Sequence, residues 1–159
     1  FEDLKCMNCK RFNNEIFPQL KKAYLDTGKA SYTLINLAFI PGSMQAAITA
    51  RCLYAQKTDY FFQFVDTLYH NQGKETEDWT TIPLMLKYAN AIKGVDSEKL
   101  SECVLNNSGV DFIINNLSIA KKAMGDTVYT PALYLNGHKI DNLDMQSINT
   151  AVNDIKSDK

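Results

Sequence analysis

The sequence predicts an α/β chain in which a long all-helical insertion separates the segments that form sheets. Three observations predict this class: a strand-like segment at 31–37, helical periodicity throughout 43–125, and a second strand-like segment at 127–135 that leads into an Asn136-Gly137 turn. The 159 residues, 45% of them hydrophobic, are enough for one substantial core. A formal net charge of −1 gives no basic surface for nucleic acid, and no apolar run has the length of a membrane span. We therefore expect protein partners, no nucleic acid and no membrane-spanning segment.

The first elements are a helix and a strand. Apolar residues recur at every fourth position of the helix, and Thr27-Gly28 ends the pattern; these residues are Phe12, Ile16, Leu20 and Tyr24. Pro18 lies within the pattern and lacks a backbone donor, so we expect a kink or a new short helix there. Segment 31–37 is rich in β-forming residues and predicts a mostly buried strand, so helix and strand suggest a parallel crossover.

Residues 1–4 lead directly into Cys6, which leaves no room for the strand that should place this cysteine at a sheet edge. We therefore expect one or more N-terminal strands, and any targeting segment, to be missing from this chain.

The later elements are a helical block, a hairpin and a last helix. Segment 43–125 shows consecutive helical periodicities and no convincing strand. The following segment, 127–135, predicts a strand, Asn136-Gly137 is a strong hairpin signal, and 138–141 is expected to pair back. The last helix has one apolar face, formed by Ile148, Ala151, Val152 and Ile155.

The first chemical feature is the Cys6-Met7-Asn8-Cys9 motif at the start of the first helix. Cysteines at this spacing can close into a disulfide or open to a dithiol, and the helix start favours a thiolate at Cys6. The positive charge of Lys5 acts in the same direction. Cys6 is therefore the predicted nucleophile.

Two alternatives accompany this motif. The same spacing supplies half of many zinc sites, but such a site normally needs a second Cys/His pair, and Cys52 and Cys103 are far apart in the chain. We therefore predict no metal. Glu2 and Asp3 are expected to be solvated charges, the alternative being a carboxylate that accepts the proton of Cys9 during exchange.

The second chemical feature is Thr130-Pro131, because a proline within a strand-like run cannot donate to a ladder. An ordinary edge-strand proline is one explanation. A cis bond is the other, and it would let the backbone before the proline pair with an extended substrate.

Together these features resemble the DsbA-like thiol oxidoreductases of the thioredoxin superfamily. The resemblance covers nearly the whole chain, and its residues include 1–3 before the CxxC motif, Lys10-Arg11-Phe12, Phe17-Pro18, 46–56, 61–72, Thr130-Pro131-Ala132-Leu133 and Asn136-Gly137. It implies a thioredoxin fold with an inserted all-helical subdomain. The thioredoxin-like domain would comprise 1–42 and 126–159, and the insertion 43–125.

The resemblance also implies roles for individual residues. Cys6 would be the attacking and exchanging sulfur, Cys9 its buried partner, Pro131 a cis-proline facing them, and Thr130 the residue before it. Met7 and Asn8 would complete the active-site loop that binds substrate. Met7 is also a candidate for an apolar rim around the sulfur, with Phe39 and Tyr129, although core packing is an alternative for the latter two.

Strongly oxidising members of the family carry Pro-His where this chain has Met7-Asn8, and neither residue can carry a positive charge. Losing one charge-assisted contact would lower the reduction potential by roughly 30 to 60 mV. We therefore predict a weakly oxidising dithiol oxidase that acts on reduced or misoxidised proteins without a cofactor. Its reoxidation by a membrane quinone-linked partner, or its operation as a reductase or isomerase fed by a thioredoxin-like reductant, remain open. A kappa-type glutathione-dependent transferase and a thioredoxin-like binding or zinc-storage module are further alternatives.

Cys52 and Cys103 each fall on the apolar face of a predicted helix. Two cysteines facing one core predict a structural disulfide, with buried free thiols as the alternative. Such a bond would fit an oxidising space, so we expect a periplasmic or other extracytoplasmic location in a bacterium.

Overall fold

The computed structural model describes residues 1–157. In chain order its elements are β1 (Glu2–Asp3), α1 (Met7–Arg11), a π-helical turn (Phe12–Ile16), α2 (Phe17–Leu20), a second π-helical turn (Lys21–Leu25), β2 (Asn36–Leu37), α3 (Met44–Gln56), α4 (Thr58–His70), α5 (Ile82–Asn90), α6 (Ser97–Leu105), α7 (Val110–Met124), β3 (Leu133–Leu135), β4 (His138–Ile140) and α8 (Met145–Ser157). Among these described residues, no helix is both long enough and apolar enough to cross a membrane.

A short strand precedes Cys6, so the prediction that this part of the chain leaves no room for one is wrong. β1 pairs in parallel with β2, in the register Glu2 with Asn36 and Asp3 with Leu37. The sequence pattern did not indicate this strand, because both of its residues are acidic. Asp3 is nevertheless fully satisfied, since its carboxylate accepts hydrogen bonds from the Lys5 amide and from three groups after β2: the Phe39 and Ile40 amides and the Ser43 hydroxyl.

The strand predicted at 31–37 is much shorter than expected. Of segment 31–37, only Asn36 and Leu37 form strand, although the Glu2 amide also donates to the Ile35 carbonyl at 3.2 Å. The expected parallel crossover from the first helix is present as this β1–β2 pair.

The first helical run changes its hydrogen-bond spacing along its length. A π-helical turn follows α1, and α2 begins at Phe17 with Pro18 in its first turn. The first turn is where a helix tolerates a missing amide hydrogen, so the predicted start of a new short helix at Pro18 is confirmed.

Five helices, α3 to α7, occupy the predicted helical block, and none of its residues form strand. A disulfide between Cys52 of α3 and Cys103 of α6 joins two of these helices. Their apolar faces form the larger core, whose most buried members include Ile48, Leu53, Phe64, Leu68, Tyr69, Met85, Leu100 and Val104. Leu4, Cys6 and Cys9 belong to the same cluster, so the segment that carries both thiols packs directly on the helical block.

The predicted hairpin is confirmed, although its first strand is limited to Leu133–Leu135 and 127–132 form no strand. β3 and β4 pair antiparallel, from Leu133 with Ile140 to Leu135 with His138. Asn136 and Gly137 have φ values of 49° and 86°, and a two-residue type I′ turn requires positive φ at both positions. A smaller apolar cluster centred on Leu20, Ile140 and Ile148 packs the first helical run and α8 against this hairpin.

Candidate active site

The hairpin and β1 are connected just before β3. The Phe1 nitrogen donates to the Ala132 carbonyl at 2.8 Å, and the Ala132 amide donates to the Phe1 carbonyl at 3.0 Å. These bonds hold residues 130–132 beside the chain that leads into Cys6. The Thr130-Pro131 peptide bond is cis, and the Thr130 carbonyl oxygen lies 3.5 Å from the Cys6 Sγ.

Cys6 caps the N-terminus of α1 with its own side chain. The Cys9 amide donates to the Cys6 Sγ at 3.4 Å. Both cysteines are free thiols, with 5% of Cys6 and none of Cys9 exposed. Of the two sulfurs, Cys6 therefore has the greater access to another molecule.

The surroundings of Cys6 favour its thiolate. The hydrogen bond from the Cys9 thiol is the largest cause that lowers the pKa of Cys6, and the Thr130 side chain and the amides of Cys9 and Asn8 add to it. Burial opposes them, and the resulting pKa is about 6. At neutral pH, Cys6 is therefore mostly an anion.

Cys9 has the opposite character. Burial is the main cause that raises its pKa, and its hydrogen bond to Cys6 and the nearby Glu2 charge raise it further. Cys9 therefore remains a neutral thiol while Cys6 is ionised, which lets it donate to the Cys6 thiolate.

Glu2 is a buried carboxylate behind the thiol pair, so the expectation that it is a solvated strand-end charge is wrong. Only 2% of it is exposed, and the hydroxyls of Tyr69 and Tyr32 donate to its two oxygens at 2.6 and 3.0 Å. Burial raises the pKa of Glu2. Asp3 is buried as well, since its carboxylate binds the chain after β2. No local pattern could have revealed the tyrosines, because they are 30 and 67 residues away from Glu2.

The ammonium of Lys5 is bonded to two loops, and its tuning of the Cys6 thiolate stays a prediction. Its side chain is buried, and the ammonium donates to the carbonyl oxygens of Pro41 at 2.8 Å and Glu77 at 3.0 Å. It therefore ties two loops together, and it is not among the groups that lower the pKa of Cys6.

The loop between α4 and α5, residues 71–81, is a part of the site that the sequence did not indicate. The Gln72 Nε2 donates to the carbonyls of Leu4 and Cys6 at 2.9 and 3.3 Å. The Met7 amide donates to the Glu75 Oε1 at 2.5 Å, so an acidic side chain of this loop reaches the first residue of α1.

Three apolar or aromatic side chains predicted to surround Cys6 lie on the surface. Met7, Phe39 and Tyr129, the three predicted rim residues, are all exposed, and Asn8 is exposed beside them. Core packing of Phe39 and Tyr129 is therefore wrong, while their binding of substrate stays a prediction.

A metal site is not formed by the described side chains. Within residues 1–157, no three or more His, Cys, Asp or Glu residues are grouped so that they could hold an ion.

Comparison with known proteins agrees with this arrangement. A family model described as thioredoxin matches residues 1–154. The probable disulfide bond formation protein D of Bacillus cereus is 30% identical over 154 residues, which cover 96% of this chain and 70% of that relative.

Two crystal structures share the fold over almost the whole chain. BdbD from Bacillus subtilis in its oxidised form has a TM-score of 0.88 and 26% identity, with 97% of this chain and 83% of that chain covered. DsbA from Chlamydia trachomatis has a TM-score of 0.87 and 25% identity, with 99% and 83% covered. The chain therefore belongs to the thioredoxin family and is a DsbA-like thiol-disulfide oxidoreductase with the thioredoxin fold of that group.

Proposed function

We propose that the protein is a weakly oxidising dithiol oxidase that transfers a disulfide from Cys6-Cys9 to protein substrates. The observation that carries the proposal is the difference between the two sulfurs: Cys6 is partly accessible with a pKa of about 6, whereas Cys9 is fully buried with a raised pKa. A pair of this kind accepts attack at one sulfur and retains the other as the internal partner.

The reaction begins with the oxidised pair. A substrate thiolate attacks the Cys6 Sγ, a bond forms between the two, and the Cys6–Cys9 bond breaks with its electron pair on Cys9. Cys9 then takes up a proton, in keeping with its raised pKa, and Glu2 lies close enough to affect that proton electrostatically. The substrate's second thiolate attacks its own sulfur in the mixed disulfide, and Cys6 leaves as a thiolate. The substrate is oxidised by two electrons and the protein is reduced by two.

Residues around the pair are suited to hold the substrate. The backbone before Pro131 is the proposed pairing edge for an extended chain, with the Thr130 carbonyl already near the Cys6 Sγ. The exposed side chains of Met7, Phe39 and Tyr129 offer apolar contacts to unfolded proteins. Asn8 completes the loop between the cysteines.

The proposed weak oxidising power follows from the residues between the cysteines. A more stable thiolate makes the reduced form more stable and the disulfide more oxidising. Disulfide oxidoreductases with a CxxC motif have nucleophile pKa values from about 3.5 in strong oxidants to about 7 in reductants. The pKa of about 6 for Cys6 lies towards the reducing end of this range. It agrees with a motif whose inner residues, Met7 and Asn8, supply no positive charge.

We further propose that the protein works in an oxidising extracytoplasmic space and is reoxidised by a membrane quinone-linked partner. The Cys52–Cys103 disulfide and the similarity to disulfide bond formation proteins support this setting. Reduction or isomerisation by the same thiol pair is the alternative direction.

The test compares wild type with the Cys6→Ser and Cys9→Ser variants on a reduced, unfolded substrate protein. Oxidised wild type should form substrate disulfides, and Cys6→Ser should form none. Reduced Cys9→Ser, given the disulfide-bonded form of the same substrate, should accumulate a mixed disulfide, because the Cys6 thiolate attacks the substrate disulfide, one substrate thiolate leaves and no Cys9 thiol is present to resolve the bond. Equilibration with glutathione should give a potential below about −120 mV. Exchange that persists in Cys6→Ser would refute the proposed site, and a potential at or above this value would refute the weak oxidant.

A further inference from the structure

Glu75 makes a contact that thiol chemistry does not require. It is a half-buried residue of the loop 71–81, and its Oε1 accepts the Met7 amide at 2.5 Å. Met7 is the first residue of α1 and directly follows Cys6. The carboxylate of Glu75 and the sulfur of Cys6 are therefore both located at the start of the same helix.

The two groups divide the free amides of that helix start between them. The amides of Asn8 and Cys9 lower the pKa of Cys6, whereas the Met7 amide donates to Glu75. Free amides and the helix dipole favour an anion at this end, but two anions there repel each other. A carboxylate at position 75 is therefore expected to make the Cys6 thiolate less stable than a neutral residue would.

The loop that carries Glu75 is anchored on both sides of it. Before Glu75, Gln72 donates to the carbonyls of Leu4 and Cys6, and its own carbonyl accepts from the Lys10 ammonium at 3.4 Å. After Glu75, the Glu77 carbonyl accepts from the buried Lys5. These bonds fix the loop against the residues next to Cys6, so Glu75 is held in place by its backbone.

The nearby lysines make their described hydrogen bonds and ion pairs with partners other than Glu75. Lys74 is paired with Glu77 at 3.3 Å, and the ammonium groups of Lys5 and Lys10 are bonded to backbone carbonyls. Glu2 lies on the buried side of the thiol pair, where its charge acts on Cys9.

We propose that Glu75 is a positioning residue that limits the oxidising power of the Cys6-Cys9 pair by holding a carboxylate at the helix start that the Cys6 thiolate occupies. The inference rests on the proposed function, because it concerns the reduction potential of that same pair. Its effect is electrostatic, so it depends on the charge of residue 75 and not on the hydrogen bond alone.

The variant Glu75→Gln separates these two contributions, because glutamine retains the oxygen that accepts the Met7 amide and loses only the charge. Glu77→Gln is the matched control: it makes the same charge change in the same loop, but on a side chain that pairs with Lys74. Glu77 is exposed, and glutamine at the half-buried position 75 keeps the bond to the Met7 amide, so thermal unfolding of both variants should stay close to that of wild type.

Two measurements read out the effect. Ultraviolet absorbance of the thiolate against pH should place the Cys6 pKa of Glu75→Gln about 0.3 to 1 unit below that of wild type, as expected for a like charge near the surface. The equilibrium with glutathione should shift two- to tenfold towards the reduced protein, which at 29.6 mV per tenfold is about 9 to 30 mV. Both differences should shrink at about 1 M salt, where the Debye length is about 3 Å.

The outcomes separate this proposal from the proposed function. Glu77→Gln should equal wild type in both measurements. If Glu75→Gln also equals wild type, or raises the pKa, the role of Glu75 is refuted while exchange through Cys6 stands. If wild type fails to exchange with glutathione, the proposed function fails, and the thiolate titration still decides whether Glu75 acts on Cys6.

Discussion

At the scale of single residues, the site depends on burying an acid whose oxygens are bonded to neutral groups. Glu2 accepts hydrogen bonds from two tyrosine hydroxyls, and burial raises its pKa more than these bonds and the nearby Phe1 ammonium lower it. A group of this kind favours the folded state at low pH and weakens it as pH rises, because the unfolded chain ionises first. Burying the Glu2 carboxylate near Cys9 therefore lowers the free energy of unfolding near neutral pH.

The variant Glu2→Gln tests this loss. Measured by denaturant unfolding of the oxidised protein, its free energy of unfolding should equal that of wild type at about pH 4 and exceed it at about pH 8, because wild type must then bury a charge. The difference should appear as pH rises above about 4.5, the ordinary pKa of the group, and increase until the raised pKa is passed. An equal gain at both pH values would attribute the effect to packing.

Glu75 and Cys6 both interact with free backbone amides at the start of α1. The start of α1 has several free amides, and the sequence indicated only that Cys6 would use them. The contact from Glu75 crosses 68 residues of chain, so no local pattern predicts it.

At the scale of elements, the helical block is more than a cover for the sheet. It holds the disulfide between α3 and α6, and its core includes Leu4, Cys6 and Cys9. Because Cys52 and Cys103 lie 51 residues apart, the bond restricts a long loop of the unfolded chain.

Reduction of this bond should lower stability without affecting exchange. In a Cys6→Ala/Cys9→Ala background only the Cys52–Cys103 bond can respond to a reductant, and unfolding there should become easier by about 2 to 4 kcal/mol. Thiol counting after unfolding without reductant should find none free. Two free thiols, or equal stability with and without reductant, would contradict a structural disulfide.

The control for function is Cys52→Ala/Cys103→Ala with the active-site pair intact. Neither cysteine contacts Cys6 or Cys9 through a described hydrogen bond, and Cys52 has Ser108 as its neighbour. Glutathione equilibrium and substrate oxidation by this variant should match those of wild type at a temperature where it remains folded.

At the scale of the whole molecule, the order of elements was predictable because each segment has its own periodicity. The helical block, the Asn136-Gly137 hairpin and the last helix all occur where the pattern indicated. The strands were predicted less well: most of 31–37 contains β-forming residues but no ladder, whereas acidic Glu2 and Asp3 form one. Tertiary partners, not local preference, decide such short strands.

The sequence also predicted part of the candidate site. Motifs indicated Cys6, Cys9 and Thr130-Pro131, and the structure places all of them together. Glu2 was seen but interpreted as a solvated charge, because its tyrosine partners are distant in sequence. The contacts of Lys5 were not predictable for the same reason, since its carbonyl partners are on two remote loops.

Stability of the whole molecule should depend on both pH and redox state. The pKa of Cys6 is about 6 in the folded, reduced protein and higher in the unfolded chain, so ionisation stabilises the reduced form. The free energy of unfolding of the reduced protein, minus that of the oxidised protein, should rise from about pH 6 to about pH 8.5 and be flat below this range. This difference isolates the thiols, because Glu2 is present in both forms. A flat difference throughout, measured by denaturant unfolding, would mean that Cys6 has an ordinary thiol pKa.

Leu4, Cys6 and Cys9 are part of the same apolar cluster as the interior of α3 to α6. The residues that determine the reactivity of the thiols therefore also contribute to the core that stabilises the fold. A CxxC segment grafted without the helical block would lose the apolar surroundings that keep Cys9 protonated. The difference between the pKa values of Cys6 and Cys9 would then decrease. An engineered thiol catalyst based on this fold should therefore retain the helical block together with the CxxC segment.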